Sequence, residues 1–209
     1  IDRFDQAHST SDLNIYETVW KNYYAAVYRC NELISRADDI NWTSEATRGT
    51  YIGEARAIRA LCYFDMVRLW ANIPLLDIPT TDNISQANPD DVYQLIISDL
   101  KYAAENIPAN AYPKAQAASN DGHITKYAAE ALLARVYLFY SGYYGKEPAG
   151  LTRAEALAGV EDVIASGEFG LIDEFKNLWP AASVTWTTNN DGSHTKTNTY
   201  AGRGNVETV

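Results

Sequence analysis

The sequence is poor in basic residues and in long apolar runs. It has 17 Lys and Arg against 27 Asp and Glu, which gives a formal net charge of −10. Binding to nucleic acid depends on a basic patch that neutralises phosphates, so this composition excludes nucleic acid as a partner. No run approaches the roughly 20 apolar residues that a membrane-spanning helix needs.

Cysteine is also sparse. Cys30 and Cys62 both fall on apolar helix faces, where a buried free thiol is the common state. A disulfide between them would suit an oxidising compartment, but the sequence alone does not settle that pairing.

Patterns typical of catalytic or metal sites are missing. His8, His123 and His194 lack metal-ligand spacing, and no cysteine joins them. No nucleophile elbow, phosphate-binding glycine loop or dinucleotide fingerprint occurs. A helical glycosidase would need two carboxylates across a cleft, which a sequence does not show. We therefore predict no catalytic residue, no metal and no cofactor.

Both ends of the chain lack the features of natural termini. The chain begins at Ile1 without a signal peptide. It ends within an apolar-polar alternation at residues 206–209. We expect a fragment of a longer protein.

Five segments have the apolar periodicity of helices. The first two cover about 12–38 and 44–70, and the fourth about 125–141. The third runs from the cap Asn88 to Pro108, with Pro89 in the first turn. The fifth runs from a capping box at Thr152 to Gly167.

The helices follow one another as pairs. Helices two and three, and helices four and five, each combine a helix rich in small residues with a capped amphipathic one. The second pair resembles a tetratricopeptide unit, with Ala131 and Ala134 as close-contact positions. Such pairs bury their faces only by stacking. We predict an all-α fold of stacked, tetratricopeptide-like helical hairpins over residues 1–180, followed at 181–209 by a polar loop and the start of a missing carboxy-terminal part.

The second helix carries the most specific motif. It reads GEARAIRALCYFDMVRLWANIPL from Gly53 to Leu75, and it stops before Pro74. Six residues are spaced as one helix face: Ile52, Ala55, Ile58, Cys62, Met66 and Leu69. This segment resembles the signature helix of the SusD/RagB family of bacterial outer-membrane lipoproteins, whose usual form is close to GEARFLRAYYYFDLVRLWGDVPL.

Further matches to that family occur in family order along almost the whole chain. They lie at residues 20–34, 91–108, 122–138, 163–171 and 205–209. The departures are modest: His123 stands where the family usually has Arg, and Ala71-Asn72 replaces its Gly-Asp turn.

The resemblance implies a non-catalytic carbohydrate-binding protein. Such a protein sits on the outer face of the cell outer membrane, held by an amino-terminal lipid anchor that this fragment lacks. It captures oligosaccharides or polysaccharides and passes them to a SusC-like, TonB-dependent transporter. This glycan uptake serves nutrient import. The carboxy-terminal half, which supplies much of the ligand site in the family, is missing here.

Sugar rings bind to flat aromatic faces, and the chain has 15 Tyr and 5 Trp against 5 Phe. We expect loop aromatics to be the ligand-binding residues. They are Trp42 in the turn between helices one and two, Tyr143 and Tyr144 in the turn at 141–150, and Trp179 and Trp186 beside the polar tail. Trp186 is the preferred candidate, whereas Trp20 and Trp70 are assigned to helix packing. The alternative is a tetratricopeptide-like scaffold that binds a protein.

Overall fold

The computed structural model describes residues 14–111, 122–171 and 184–198, and most of these are helical. Its helices are α1 (Asn14–Ser35), α2 (Glu45–Trp70), α3 (Pro89–Asn106), α4 (Lys126–Tyr144) and α5 (Arg153–Ser166). A short 3-10 turn, Ala37–Asp39, follows α1. Each helix packs against the next one in the chain, so the predicted stack of helical hairpins is confirmed.

Two small antiparallel ribbons accompany the helices. Strands β1 (Ile73–Pro74) and β2 (Gln86–Ala87) pair across the connection between α2 and α3. Strands β3 (Val184–Thr188) and β4 (His194–Asn198) form a hairpin. The sequence predicted a polar loop there, and this was wrong. Threonine and valine favour extended backbone, and Gly192 adopts the positive φ that the turn requires.

Side-chain caps set the helix starts. Ser44, Asn88, Thr125 and Thr152 each accept a hydrogen bond from a backbone N–H of the first turn. Because such caps satisfy donors that have no partner within the helix, they define the start from sequence alone. The predicted starts of α2, α3 and α5 are confirmed.

Two helix ends differ from the prediction. The first helix stops at Ser35 instead of 38, where the chain tightens into the 3-10 turn. Helix α4 continues past 141 to Tyr144, because the residue that ends it is Gly145, with a φ of 66°. The region 205–209, where the resemblance predicts a strand, lies outside the described residues.

Helix α2 lies inside the stack and packs against both α1 and α3. Its buried residues therefore run nearly all the way round it. Four of the six predicted face residues are buried, but Ile58 and Leu69 are 39% and 63% exposed. The single-face prediction was wrong at these two positions.

Glycines bring α2 and the end of α3 into close contact. A Cβ at Gly53 would lie 2.6 Å from Ile107 Cγ1, and one at Gly49 would lie 2.9 Å from the carbonyl oxygen of Asn106. Real Cβ atoms do not approach this closely, so only glycine permits this helix spacing. The glycine of the signature motif is thus explained by packing.

A buried polar cluster joins α1, α2 and α3 to the segment after α2. Arg59 donates through Nε and Nη2 to both carboxylate oxygens of Asp99, at 2.7 and 2.8 Å. Its Nη1 donates to Asn31 Oδ1 at 2.6 Å, and Asn31 in turn donates to the carbonyl oxygens of Leu76 and Ile78. All three residues are at least 97% buried. The cluster fixes the β1 segment onto the helices.

Cys30 and Cys62 are buried free thiols, as expected, and burial raises the pKa of Cys62 to about 11.

Among the described residues, no helix has the length and apolar character to cross a membrane.

Candidate carbohydrate-binding surfaces

Trp42 lies in the turn between α1 and α2, as predicted. Its indole Nε1 donates to the carbonyl oxygen of Ala37 at 2.7 Å, which fixes the ring edge. One face of the ring stacks on Tyr51, with centroids 5.8 Å apart and an angle of 26° between the planes. The side chain remains half-buried. Trp42 is therefore a fixed, partly open aromatic surface.

A polar cavity of about 300 Å³ adjoins this ring. Asp38, Asn41, Glu45 and Arg48 line it together with Trp42. Arg48 Nη2 donates to Asp38 Oδ1 at 2.8 Å, and this hydrogen bond raises the pKa of Arg48. The carboxylates of Asp38 and Glu45 are each 90% exposed, so their remaining oxygens are open to a ligand.

The cavity itself is lined mainly by polar groups. Carboxylate, amide and guanidinium groups of this kind bind sugar hydroxyls, and the half-buried Trp42 ring at its edge is the adjacent flat aromatic surface. The sequence analysis missed the four polar residues. Their signal was present, because a hairpin of two helices brings residues on either side of its turn together, here Asp38 and Arg48.

Tyr143 and Tyr144 lie on the last turn of α4 and not in a loop, so their predicted placement was wrong. Tyr143 is 73% exposed, and its ring lies parallel to Phe139 with 5.9 Å between centroids. Tyr144 instead packs against Tyr93 and Tyr140 and is only partly exposed. Tyr143 offers an open aromatic face, and Tyr144 serves mainly as its support.

An ion pair stands beside this aromatic cluster. Asp90, in the first turn of α3, accepts hydrogen bonds from Lys146 Nζ at 2.8 Å and from Tyr140 Oη at 2.6 Å. These two donors lower the pKa of Asp90. The sequence assigned Asp90 to the helix dipole, and the structure adds that it ties the start of α3 to the end of α4.

The structure does not bring Trp42 and Tyr143 together. Trp42 precedes the first residue of α2. Phe139, whose ring lies parallel to that of Tyr143, contacts Phe64 and Arg68 near the other end of that helix. A helix of 26 residues is about 39 Å long. The two aromatic surfaces are therefore near opposite ends of α2.

Trp186 and Trp179, the candidates beside the polar tail, stay predictions. Trp186 lies on β3, opposite Lys196 of β4 in the backbone register. Trp179 lies outside the described residues. Trp20 and Trp70 pack edge to face with 5.0 Å between centroids, which confirms their assignment to helix packing.

Within 14–111, 122–171 and 184–198, no group of three or more His, Cys, Asp or Glu side chains is arranged to hold a metal ion.

Comparison with known proteins identifies the family. A SusD-like family model, described as "Starch-binding associating with outer membrane", matches residues 3–138. A SusD-like protein of Bacteroides ovatus is 33% identical over 171 residues, which are 77% of this chain and 29% of that protein.

Solved structures agree with this match. A laminarin-binding SusD-like protein superposes with a TM-score of 0.63 at 25% identity, over 83% of this chain and 38% of that one. A crystal structure with xylogluco-oligosaccharide superposes with a TM-score of 0.62 at 29% identity, over 78% and 32% of the two chains. The chain thus spans 29% to 38% of the length of these relatives. It belongs to the SusD-like family.

Proposed function

We propose that this protein captures oligosaccharides at the outer face of the bacterial outer membrane and passes them to a SusC-like, TonB-dependent transporter. Family membership is the observation that carries the proposal. The family description is that of a starch-binding protein associated with the outer membrane, and it describes binding and not catalysis.

The relatives support a carbohydrate ligand. One of the similar structures is described as laminarin-binding, and another was determined with a xylogluco-oligosaccharide. Both ligands are neutral glucose-based chains with hydroxyl-rich edges. The Trp42 surface, with its polar cavity, has matching chemistry.

Within this proposal, Trp42 stacks on a sugar ring while Asp38, Asn41 and Arg48 bind its hydroxyls. The fixed indole edge and the Arg48–Asp38 hydrogen bond hold these groups in place before the ligand arrives. Such preorganisation reduces the entropy lost on binding. The ligand leaves unchanged, because the role of the protein is capture and transfer.

Isothermal titration with laminarin and xyloglucan oligosaccharides tests the proposal. We expect saturable binding and an unchanged distribution of sugar chain lengths after incubation. Trp42→Ala should weaken binding at least tenfold, whereas Tyr28→Ala, which removes an aromatic side chain that is 40% exposed on α1 and does not line the cavity, is the matched control. Shortened sugar chains, or no binding to any glycan, would contradict the proposal.

One observation favours the second candidate, a scaffold that binds proteins. Tyr51, Ile58, Leu61 and Leu69 follow one side of α2 and are 39% to 63% exposed. Their spacing of seven, three and eight residues places them on one helix face. A tight protein partner without glycan binding would favour this candidate.

A further inference from the structure

A second cavity shares no lining residue with the one beside Trp42. It has a volume of about 510 Å³ and is formed by α2, α3 and the segment between α4 and α5. Its polar lining is Arg56 from α2 and Gln94, Ser98, Lys101, Tyr102 and Glu105 from α3.

Arg56 is held in place but uses none of its donors in a hydrogen bond to a described residue. Its guanidinium carbon lies 4.2 Å from the centre of the Tyr102 ring. Its nearest carboxylate contact is Asp99 Oδ1 at 3.7 Å, which is too long for a hydrogen bond. Arg56 Nε is buried without a hydrogen-bond partner in the described chain. Buried donors of this kind are rare, because an unmet donor costs about 1–3 kcal/mol.

Arg59, one turn further along α2, shows the contrast. Both carboxylate oxygens of Asp99 accept hydrogen bonds from Arg59 at 2.7 and 2.8 Å. Both oxygens of Asp99 therefore accept hydrogen bonds from Arg59, and Arg56 keeps only an ion pair with the same carboxylate at 3.7 Å. The Tyr102 ring orients the planar guanidinium of Arg56, and 27% of the side chain is exposed. Because Nε is buried, a ligand carboxylate would reach this guanidinium through Nη1 and Nη2, an edge from which arginine can donate two parallel hydrogen bonds.

We infer that this cavity binds the carboxylate of a uronic acid residue in an acidic oligosaccharide. The inference rests on the proposed function and names a substrate class for it. Gln94, Ser98 and Glu105 are exposed around Arg56 and can bind sugar hydroxyls. The choice of a saccharide over an acidic peptide follows from the proposed function and not from this lining, which also includes the apolar residues Ile97 and Ala149.

The test compares two forms of one ligand with the intact protein. Oligogalacturonate carries a carboxylate on each residue, and its methyl ester has the same chain without the charge. We expect the acid to bind at least tenfold more tightly than the ester. Arg56→Gln should abolish this preference, and Arg56→Lys should restore only part of it, since lysine lacks the planar fork. Arg36→Gln, which removes an exposed pair with Glu32, is the matched control and should change nothing.

Two further variants separate this inference from the proposed function. Trp42→Ala should leave the preference for the acid intact. Ser98→Phe, which places a bulky side chain at an exposed position of the lining, should abolish it and covers the case in which the Arg56 variants fold poorly. Binding of neutral glycans without any preference for the acid would overturn this inference and leave the proposed function standing. An acidic peptide that binds at Arg56 in place of the saccharide would also overturn it. Absence of binding to every glycan would refute both.

Discussion

At the scale of single residues, the most constrained side chains belong to the buried cluster of Asn31, Arg59 and Asp99. Arg59 uses three of its nitrogen atoms within the protein, and Asp99 is fully buried. Removal of one partner from such a pair leaves an uncompensated buried charge. The cluster therefore stabilises the native arrangement of α1, α2 and α3 most strongly when it is complete.

We predict that Asp99→Ala lowers the free energy of unfolding by about 3–5 kcal/mol, because Arg59 then remains charged and buried without its partner. Urea denaturation followed by circular dichroism measures the change. The control is Arg36→Ala, which removes an exposed ion pair and should cost less than about 1 kcal/mol. Equal effects of the two variants would mean that the buried cluster does not stabilise the fold.

Ala71 shows how a departure from the family pattern is accommodated. It stands where the family usually has glycine, and it adopts a positive φ of 57°. Its N–H still bonds the carbonyl oxygen of Val67 and so ends α2. The conformation that favours glycine is kept, although the residue is alanine.

At the scale of the elements, close approach of α2 and α3 depends on glycine. We predict that Gly53→Ala destabilises the protein by about 1–3 kcal/mol, because the added methyl group would overlap Ile107. The matched control is Gly142→Ala on α4, where the same methyl group meets nothing within 4 Å. That variant should gain up to about 1 kcal/mol from helix propensity. Thermal denaturation distinguishes the two, and a stabilising effect of Gly53→Ala would refute the packing argument.

The start of α5 should respond to acid. Hydrogen bonds from Lys101 and from Thr152 lower the pKa of Glu155 to about 2. A carboxyl whose pKa is depressed in the folded state contributes stability above its unfolded pKa of about 4.3, and this contribution disappears as pH falls toward 2. We predict that a carbon-13 NMR titration of the Glu155 carboxyl has its midpoint well below pH 4, with the protection of the α5 amides falling over the same range. A midpoint near 4.3 would contradict the capping box as described.

Sequence reasoning predicted the elements better than the contacts between them. Caps such as Asn88 and Thr152 act within a few residues, so the starts of α3 and α5 could be read directly. The Arg59–Asp99 pair joins positions 40 residues apart, and no local pattern reveals it. The cavity beside Trp42 depends in the same way on Asp38 and Arg48 meeting across a turn. The hairpin at 184–198 was missed because its polar threonines resemble a loop in composition.

At the scale of the whole molecule, the helices form a scaffold with the candidate binding groups at its periphery. The described core consists mainly of helix contacts, while Trp42, Tyr143 and the Arg56 cavity lie on the outside or between helices. This separation agrees with relatives of similar fold that are described with different glycans, laminarin and a xylogluco-oligosaccharide. We propose that ligand choice depends on side chains whose replacement leaves the core intact.

The position of the bound glycan tests this account most directly. Nitrogen-15 NMR spectra recorded during titration with laminarin or xyloglucan oligosaccharides report which amides and indole N–H groups change. We predict saturable shifts concentrated at residues 37–48, including the indole of Trp42, with no comparable change at residues 139–146. Shifts confined to other parts of the chain, or a spectrum that glycans leave unchanged, would contradict the account.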